Sequence, residues 1–438
     1  MGNTTRRTAL RLTAGVAVGG VAGVPTAAEE SHTPDLAWRY QTGDLVDSSP
    51  TVVNGTVYVG SDDGHLYAID QERGTKRWRF RPAPKVENWF ETAPTVIGGT
   101  VYVSTEAPTG GELDAGVFAL DAETGEEYWH YAIDEPWMRS SVTAAAGSLF
   151  VGGYDHAIHA IDARTGTEVW TVDTGDVVHS SPTVADGTVY VGSTDGTCYA
   201  LNAATGEKEW TYELPTSVVS SPTLSNGVVS VGDRDGVVCG LDAETGEERW
   251  INTSSEGIVS SPTAIQTTVF VGSVDGHLYA LDADSGTERW RFETGGDVAS
   301  SPTVVGETVI VGSTDGTVYA LDVDAGDERW RFDTDGRVVS SPTVVDGRAY
   351  VGSHDGHVYA IETGLDGSSE DSRVRLGTLG HHHEWANAAG EFDTPVRQAD
   401  GDSTPSSRTV AGAFAGTAAL IGAGAYAVRR RDSTDPTV

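Results

Sequence analysis

The sequence predicts an all-β chain folded as an eight-bladed β-propeller of four-stranded antiparallel blades, and three observations carry that expectation. The tetrapeptide SSPT opens a repeat at Ser48, Ser180, Ser220, Ser260, Ser300 and Ser340, with TAPT at Thr92 and SSVT at Ser140 as variants; this makes eight copies, spaced forty residues apart from the fourth onward. Each copy strings together short β-rich runs divided by Asp-Gly, Asn-Gly or Thr-Gly pairs, as in SSPTVADGTVYVGSTDGTCYALNAATGEKEW from Ser180 to Trp210. One tryptophan recurs per copy. A single sheet of about forty residues cannot cover both of its faces, so copies must stack, and four-stranded units stacked radially close into a propeller.

The chain opens with Arg6 and Arg7 ahead of a run of small apolar residues, Leu12 to Val24, and a small-residue site at Ala27 and Ala28. Residues 1–28 read as an export signal of twin-arginine type, with an ordinary secretory signal as the other option, and stand outside the fold. The propeller is expected over 37–361. Within each copy, pairs such as Asn54-Gly55, Asp186-Gly187, Asn226-Gly227 and Asp346-Gly347 accept the positive φ of a tight hairpin between the first two strands. A second turn, Asp195-Gly196 in the type copy, leads to the third strand, and Thr205-Gly206 leads to the fourth, which carries the tryptophan.

These fourth-strand residues are Trp78, Trp129, Trp170, Trp210, Trp250, Trp290 and Trp330, seven for eight copies. The eighth is Trp38, which stands in the same relation to its own SSPT as Trp330 does to the last. The N-terminal strand is therefore expected to supply the outer strand of the last blade, closing the ring and hiding an open edge.

After Ile361 the composition changes. Residues 362–408 are rich in Gly, Ser, Asp and Thr and read as a flexible acidic stalk. Residues 409–428 follow, uncharged from Val410 to Val428 and long enough for a membrane helix of roughly 29 Å at 1.5 Å per residue. Arg429, Arg430 and Arg431 open a tail, 429–438, that the positive-inside rule places in the cytoplasm, leaving the propeller outside. Gly412 and Gly416 form one GxxxG, a weak pairing signal in a helix of small residues.

The motif A-x-D-x-x-T-G-x-x-x-W, here Ala119, Asp121, Thr124, Gly125 and Trp129, resembles the tryptophan-docking repeat of propellers of the pyrroloquinoline-quinone (PQQ) type, over about Trp38 to Ile361. The resemblance implies that each Trp stacks between the Ala of its own repeat and the Gly region of a neighbour. Departures are Gly240 for the Ala, Asn202 for the Asp, and Ser285 and Ala325 for the Thr. The same repeats occur in quinoprotein dehydrogenases, which hold PQQ and usually calcium at the channel mouth, and in non-catalytic scaffolds of the BamB type.

The formal net charge is -36, only Lys76, Lys85 and Lys208 are lysine, and the acids are spread over every segment. Such a surface suits high salt, where screening shortens to about 3 Å at 1 M, and reads as the product of a halophilic archaeon. It also excludes nucleic acid as a partner.

Candidate sites are few. The aspartates at one turn, Asp63, Asp155, Asp195, Asp235, Asp275, Asp315 and Asp355, offer either cation ligands or, more simply, turn formers. His354, His357, His156 and His159 are sparse for a metal site, and His381, His382 and His383 are a denser cluster set in the stalk. Cys198 and Cys239 lie forty-one residues apart where the repeat is forty, so their side-chain parity is reversed: either both face their shared interface, where a disulfide is open to them, or both face away. Three irregular links fall on one rim and carry Trp89, Phe90, Trp137, Met138 and Arg139, the composition of a binding patch.

The expected function is an interaction or assembly scaffold at the cell surface, a monomeric propeller meeting protein partners and tethered by the C-terminal helix, with no catalytic residues and no cofactor. A PQQ-dependent dehydrogenase using calcium and a glycan-binding surface module are the alternatives.

Overall fold

A computed structural model describes residues 33–82, 89–106, 115–133, 137–369 and 395–397. The expected signal, the membrane helix, the cytoplasmic tail, most of the stalk and His381 to His383 lie outside these. The described chain forms eight four-stranded antiparallel sheets, and the eight innermost strands neighbour one another in a ring that returns from the last to the first. Blade 4 shows the plan: Thr183–Ala185 innermost, then Thr188–Gly192, Thr197–Asn202 and Lys208–Glu213 outermost. The Asp-Gly hairpin forms as its chemistry requires, with φ of 51° at Asp186 and 83° at Gly187.

Blade 8 is built from both ends of the propeller. Thr343–Val345, Arg348–Gly352 and His357–Glu362 supply three strands, and Asp35–Gln41 pairs with the last of them, placing Trp38 opposite Ala360 and Tyr40 opposite Val358. The chain then turns across the hairpin face of this blade. Thr363 N–H donates to the Gly347 carbonyl, and Ser369 bonds both the N–H and the carbonyl of Val344 on the innermost strand.

The tryptophan motif works as a joint between blades. In each blade the Ala, or Gly240 in blade 5, and the Trp are register partners, for example Ala119 with Trp129, beside a bulge. The indole N–H reaches across to a carbonyl in the next blade, thirty-four residues on from Trp129 to Ala163 (3.2 Å) and thirty-three on from Trp170 to Ala203 (3.0 Å), Trp210 to Ala243 (3.0 Å) and Trp250 to Ala283 (2.8 Å). The next blade's Thr-Gly turn lies flat on the ring; a Cβ at Gly166 would sit 2.6 Å from the Trp129 indole. Only glycine fits there, which explains its place in the motif. Trp330 is the exception. Its blade faces the chain's turn toward Ser369 instead of a Thr-Gly turn, and its buried indole nitrogen has no partner.

Each residue of SSPT holds the centre together. The first Ser accepts from the glycine N–H that ends its own second strand, as Gly192 to Ser180. The second accepts from the preceding blade's second Ser, giving a ring around the axis: Ser141 to Ser181, Ser181 to Ser221, Ser221 to Ser261, Ser261 to Ser301, Ser301 to Ser341 and Ser341 to Ser49, all 2.9 to 3.0 Å. Ala93 N–H donates to Ser141, but Ala93 has no hydroxyl to offer Ser49, so the ring is broken between blades 1 and 2. The Thr donates to the next Pro carbonyl, as Thr183 to Pro222 (2.5 Å).

Six of the seven aspartates at the second turn serve as turn formers; at Asp235 the role passes to Asp233, which accepts from Asp235 N–H and Val237 N–H. Asp195 accepts from Thr197 N–H and Gly175 N–H and from the Tyr199 hydroxyl (2.6 Å), and Asp315 repeats the set with Thr317, Gly295 and Tyr319. Burial raises their pKa, but these donors outweigh it and hold both below the ordinary carboxylate value.

Candidate channel-mouth site

Two positions per blade build the channel mouth on the face of the blade-to-blade links. The first immediately precedes SSPT: Asp47, Glu91, Arg139 and His179 in blades 1 to 4, then Val219, Val259, Ala299 and Val339 in blades 5 to 8. The second lies at the turn between the second and third strands, with Asp62, Glu106, Tyr154, Thr194, Arg234, Val274, Thr314 and His354 in order. Backbone bonds fix the pairing of link and turn: Asp62 N–H to Leu45, Glu106 N–H to Trp89, Thr194 N–H to Val177 and His354 N–H to Arg337. In the position before SSPT, ionisable side chains therefore fill blades 1 to 4 and aliphatic ones fill blades 5 to 8.

The mouth opens into a channel cavity of about 180 Å³, lined by seven ring serines together with Glu91, Arg139, His179 and Val219. Arg139 is the hub of the charged sector. Its Nε donates to Glu106 Oε1 at 3.2 Å, and its Nη2 lies 3.5 Å from Glu91. Glu106 has no solvent exposure; burial, with the Glu91 charge behind it, pushes its carboxyl up to about 8. Asp62 is likewise pushed up to about 8 by burial and then by Asp47 and Glu91. His179 goes the other way, down to about 4, through burial and the Arg139 and Arg234 charges, so it is a neutral imidazole at pH 7. His354 faces the Asp47 carboxylate.

An aromatic run borders this sector. The Trp89 and Trp137 rings stand 5.9 Å apart, Trp137 and Tyr154 6.1 Å, and Tyr154 and His179 4.9 Å. The five-residue patch expected from sequence thus divides. Trp89 and Trp137 are half-buried and Arg139 is exposed at the mouth. Phe90 and Met138 are fully buried instead. They occupy the anchor position that Val178, Val218 and Val298 fill elsewhere, and Phe90 closes over Gly60 as Val178 does over Gly152. The longer links hid that alignment.

Cys198 and Cys239 do face one interface, in the apolar core between blades 4 and 5, but they are free thiols rather than a disulfide. Burial raises both pKa values, that of Cys198 to about 12. His156, His159, His354 and His357 are spent locally; His159 bonds Asp155 at 3.0 Å and His357 bonds Asp355 at 3.2 Å. The sequence reading overlooked Asp47, Asp62, Glu91 and Glu106. The signal for Asp47 and Glu91 was the column before SSPT, acidic in blades 1 and 2 and apolar from blade 5; for Asp62 and Glu106 it was the turn after the second strand, acidic in the same two blades.

A quinone with its calcium ion asks for carboxylates, an amide and a plane for a flat ring. Among the described residues lining the cavity there is one carboxylate, Glu91, no Asn or Gln side chain and no Phe, Tyr or Trp ring. The carboxylates of Asp47, Asp62 and Glu106 stand at the mouth, bordered by the rings of Trp89, Trp137 and Tyr154, but neither mouth position supplies an Asn or Gln in any blade, so the donor set for the quinone and its calcium is incomplete.

A family model described as outer membrane protein assembly factor BamB matches residues 12–154, 154–273, 216–329 and 274–400. BamB from Moraxella catarrhalis superposes with a TM-score of 0.62 at 21% identity, covering 75% of this chain and all of that one. The computationally designed Ika8 protein gives 0.65 at 18% identity over 74% of this chain and 97% of that one. Quinohemoprotein alcohol dehydrogenase from Comamonas testosteroni gives 0.60 at 19% identity over 76% and 77%. Its sequence is 29% identical over 119 residues, 27% of this chain and 17% of the enzyme. At these identities the structures share a fold, and fold alone does not carry activity.

Proposed function

The chain belongs to the family described as outer membrane protein assembly factor BamB, and from that premise we propose that it is a non-catalytic interaction scaffold whose link-face rim docks a protein partner. The observation that carries this reading is the aromatic run Trp89, Trp137, Tyr154 and His179 beside Arg139. Tryptophan and tyrosine bury large area with only two rotatable bonds, arginine adds a planar guanidinium that pairs and stacks, and such residues dominate docking energetics; here they interrupt an acidic surface. The rest of the ring supports a framework role: its turns are short and its polar groups are consumed in holding blades together.

The scaffold is proposed to work at the cell surface of a salt-adapted cell, exported by its N-terminal signal and tethered by the helix at 409–428. The described residues from Thr363 to Ser369 lie on the hairpin face of blade 8, opposite the aromatic rim.

Catalysis as a quinoprotein dehydrogenase is the second reading, favoured by the 119-residue match to that enzyme. It is tested by dye reduction with alcohols or sugars after PQQ and calcium are added. Turnover above a protein-free blank would replace the scaffold reading; retained partner capture without turnover supports it.

A further inference from the structure

Four carboxylates meet in the charged sector of the mouth with few cations to balance them. Asp47, Asp62 and Glu91 each present an oxygen within 4.8 Å of the other two. They come from three separate segments: the link into blade 1, the second turn of blade 1 and the link into blade 2. Asp62 Oδ1 is buried and has no hydrogen-bond partner. Beside them Glu106 is fully buried. Its Oε1 takes the Arg139 Nε–H, while its Oε2 has no partner. Glu106 shares the Arg139 guanidinium with Glu91 and lies near enough to Asp62 and Glu91 to feel both charges. Buried carboxylate oxygens without partners are costly, and proteins answer them with a proton, a water or a cation.

We propose that Asp47, Asp62 and Glu91 form a binding site for a hard divalent cation of calcium size. All three ligands are carboxylate oxygens, which suit such ions. Calcium accepts variable, flexible geometry at about 2.3–2.6 Å, which suits three carboxylates brought in by separate segments, whereas magnesium demands near-ideal octahedral geometry and keeps most of its waters. The location gives the ion a structural task. The serine ring is broken between Ser49 and Ala93, the seam between blades 1 and 2, and the three carboxylates bridge that same seam on the link face. The ion would cross-link the two blades where the hydroxyl ring does not. The proposal holds whether or not the rim docks a partner.

Terbium, a luminescent stand-in for calcium, tests it on the full chain in molar potassium chloride, which suppresses binding to scattered surface acids. Trp89, two residues from Glu91, and Trp137 beside it serve as sensitising antennae. The expected result is sensitised emission that saturates at one ion per chain and is displaced by calcium at concentrations at least about tenfold below those needed with magnesium. Asp62→Asn and Glu91→Gln should each weaken binding at least about tenfold, the loss that even outer-shell partners of metal ligands cost. Asp235→Asn, in an exposed turn, should leave it unchanged. Emission from the parent that does not saturate, or that calcium does not displace, overturns the proposal without reference to any variant. So does equal binding by a folded Asp62→Asn or Glu91→Gln chain.

Discussion

The indole nitrogen of Trp38 donates to the carbonyl of Gln71 across 2.8 Å, while the Trp38 backbone pairs with Ala360. One residue thus joins the first strand of the propeller to blade 1 by its side chain and to blade 8 by its main chain. Ring closure rests on this double engagement.

Trp38→Ala should lower unfolding free energy by about 3 kcal/mol, at the modest end for loss of a large aromatic because Trp38 is only half-buried. Trp129→Ala, at a fully buried position, should cost about 4 kcal/mol or more. Guanidinium denaturation of both variants at fixed salt checks the order. Equal stability of Trp38→Ala and the parent would show that the N-terminal strand does not close the ring.

Gly240 stands where other copies carry Ala, and the structure shows why. A Cβ there would lie 2.2 Å from Cε2 of Trp250, whose indole nitrogen is held at 2.8 Å by the Ala283 carbonyl. Gly240→Ala should destabilise by about 1–3 kcal/mol, as overpacking does, although it restores the repeat's own consensus. A melting temperature at or above the parent's would show that blade 5 accommodates the methyl group freely.

The carboxyls of Asp62 and Glu106 give a defined pH dependence. Both are pushed up to about 8 in the folded chain, against roughly 4 when unfolded. Between these values the folded state holds protons that the unfolded state has released, so stability falls as pH rises through this window. The tyrosine-bonded Asp195, Asp275, Asp315 and Asp355 are held low and act in a separate window, losing their contribution as the medium becomes acid. In chelator, Asp62→Asn with Glu106→Gln should flatten the decline from pH 5 to 8 and exceed the parent's stability at pH 8. Denaturation midpoints across that range decide it; parallel profiles would refute the assignment.

Cys198 and Cys239 should resist thiol reagents in the folded chain, since both are buried and burial disfavours their thiolates. Two thiols per chain should titrate after denaturation without reductant. Finding none would reveal a disulfide.

The repeat made most of the fold legible, because SSPT, Asp-Gly, Thr-Gly and Trp each do one local job eight times with few exceptions. Closure by Trp38 followed from counting. The site was legible only in part, since it resides in the columns that vary. Trp89, Trp137 and Arg139 stood out as irregular, but Phe90 and Met138 beside them are large versions of a core valine, and composition cannot tell an anchor from a patch. The acids at 47, 62, 91 and 106 converge from separate segments of two blades, and only the ring's geometry makes them neighbours.

The docking role of the rim is tested most directly by quantitative affinity capture from native membranes at high salt, comparing the parent with a Trp89→Ala, Trp137→Ala double variant of verified fold. Loss of the rim's two aromatic anchors should remove at least about 2 kcal/mol of binding, roughly a thirtyfold drop in captured partner. A folded double variant that retains every partner at parental yield would contradict the rim as the docking surface.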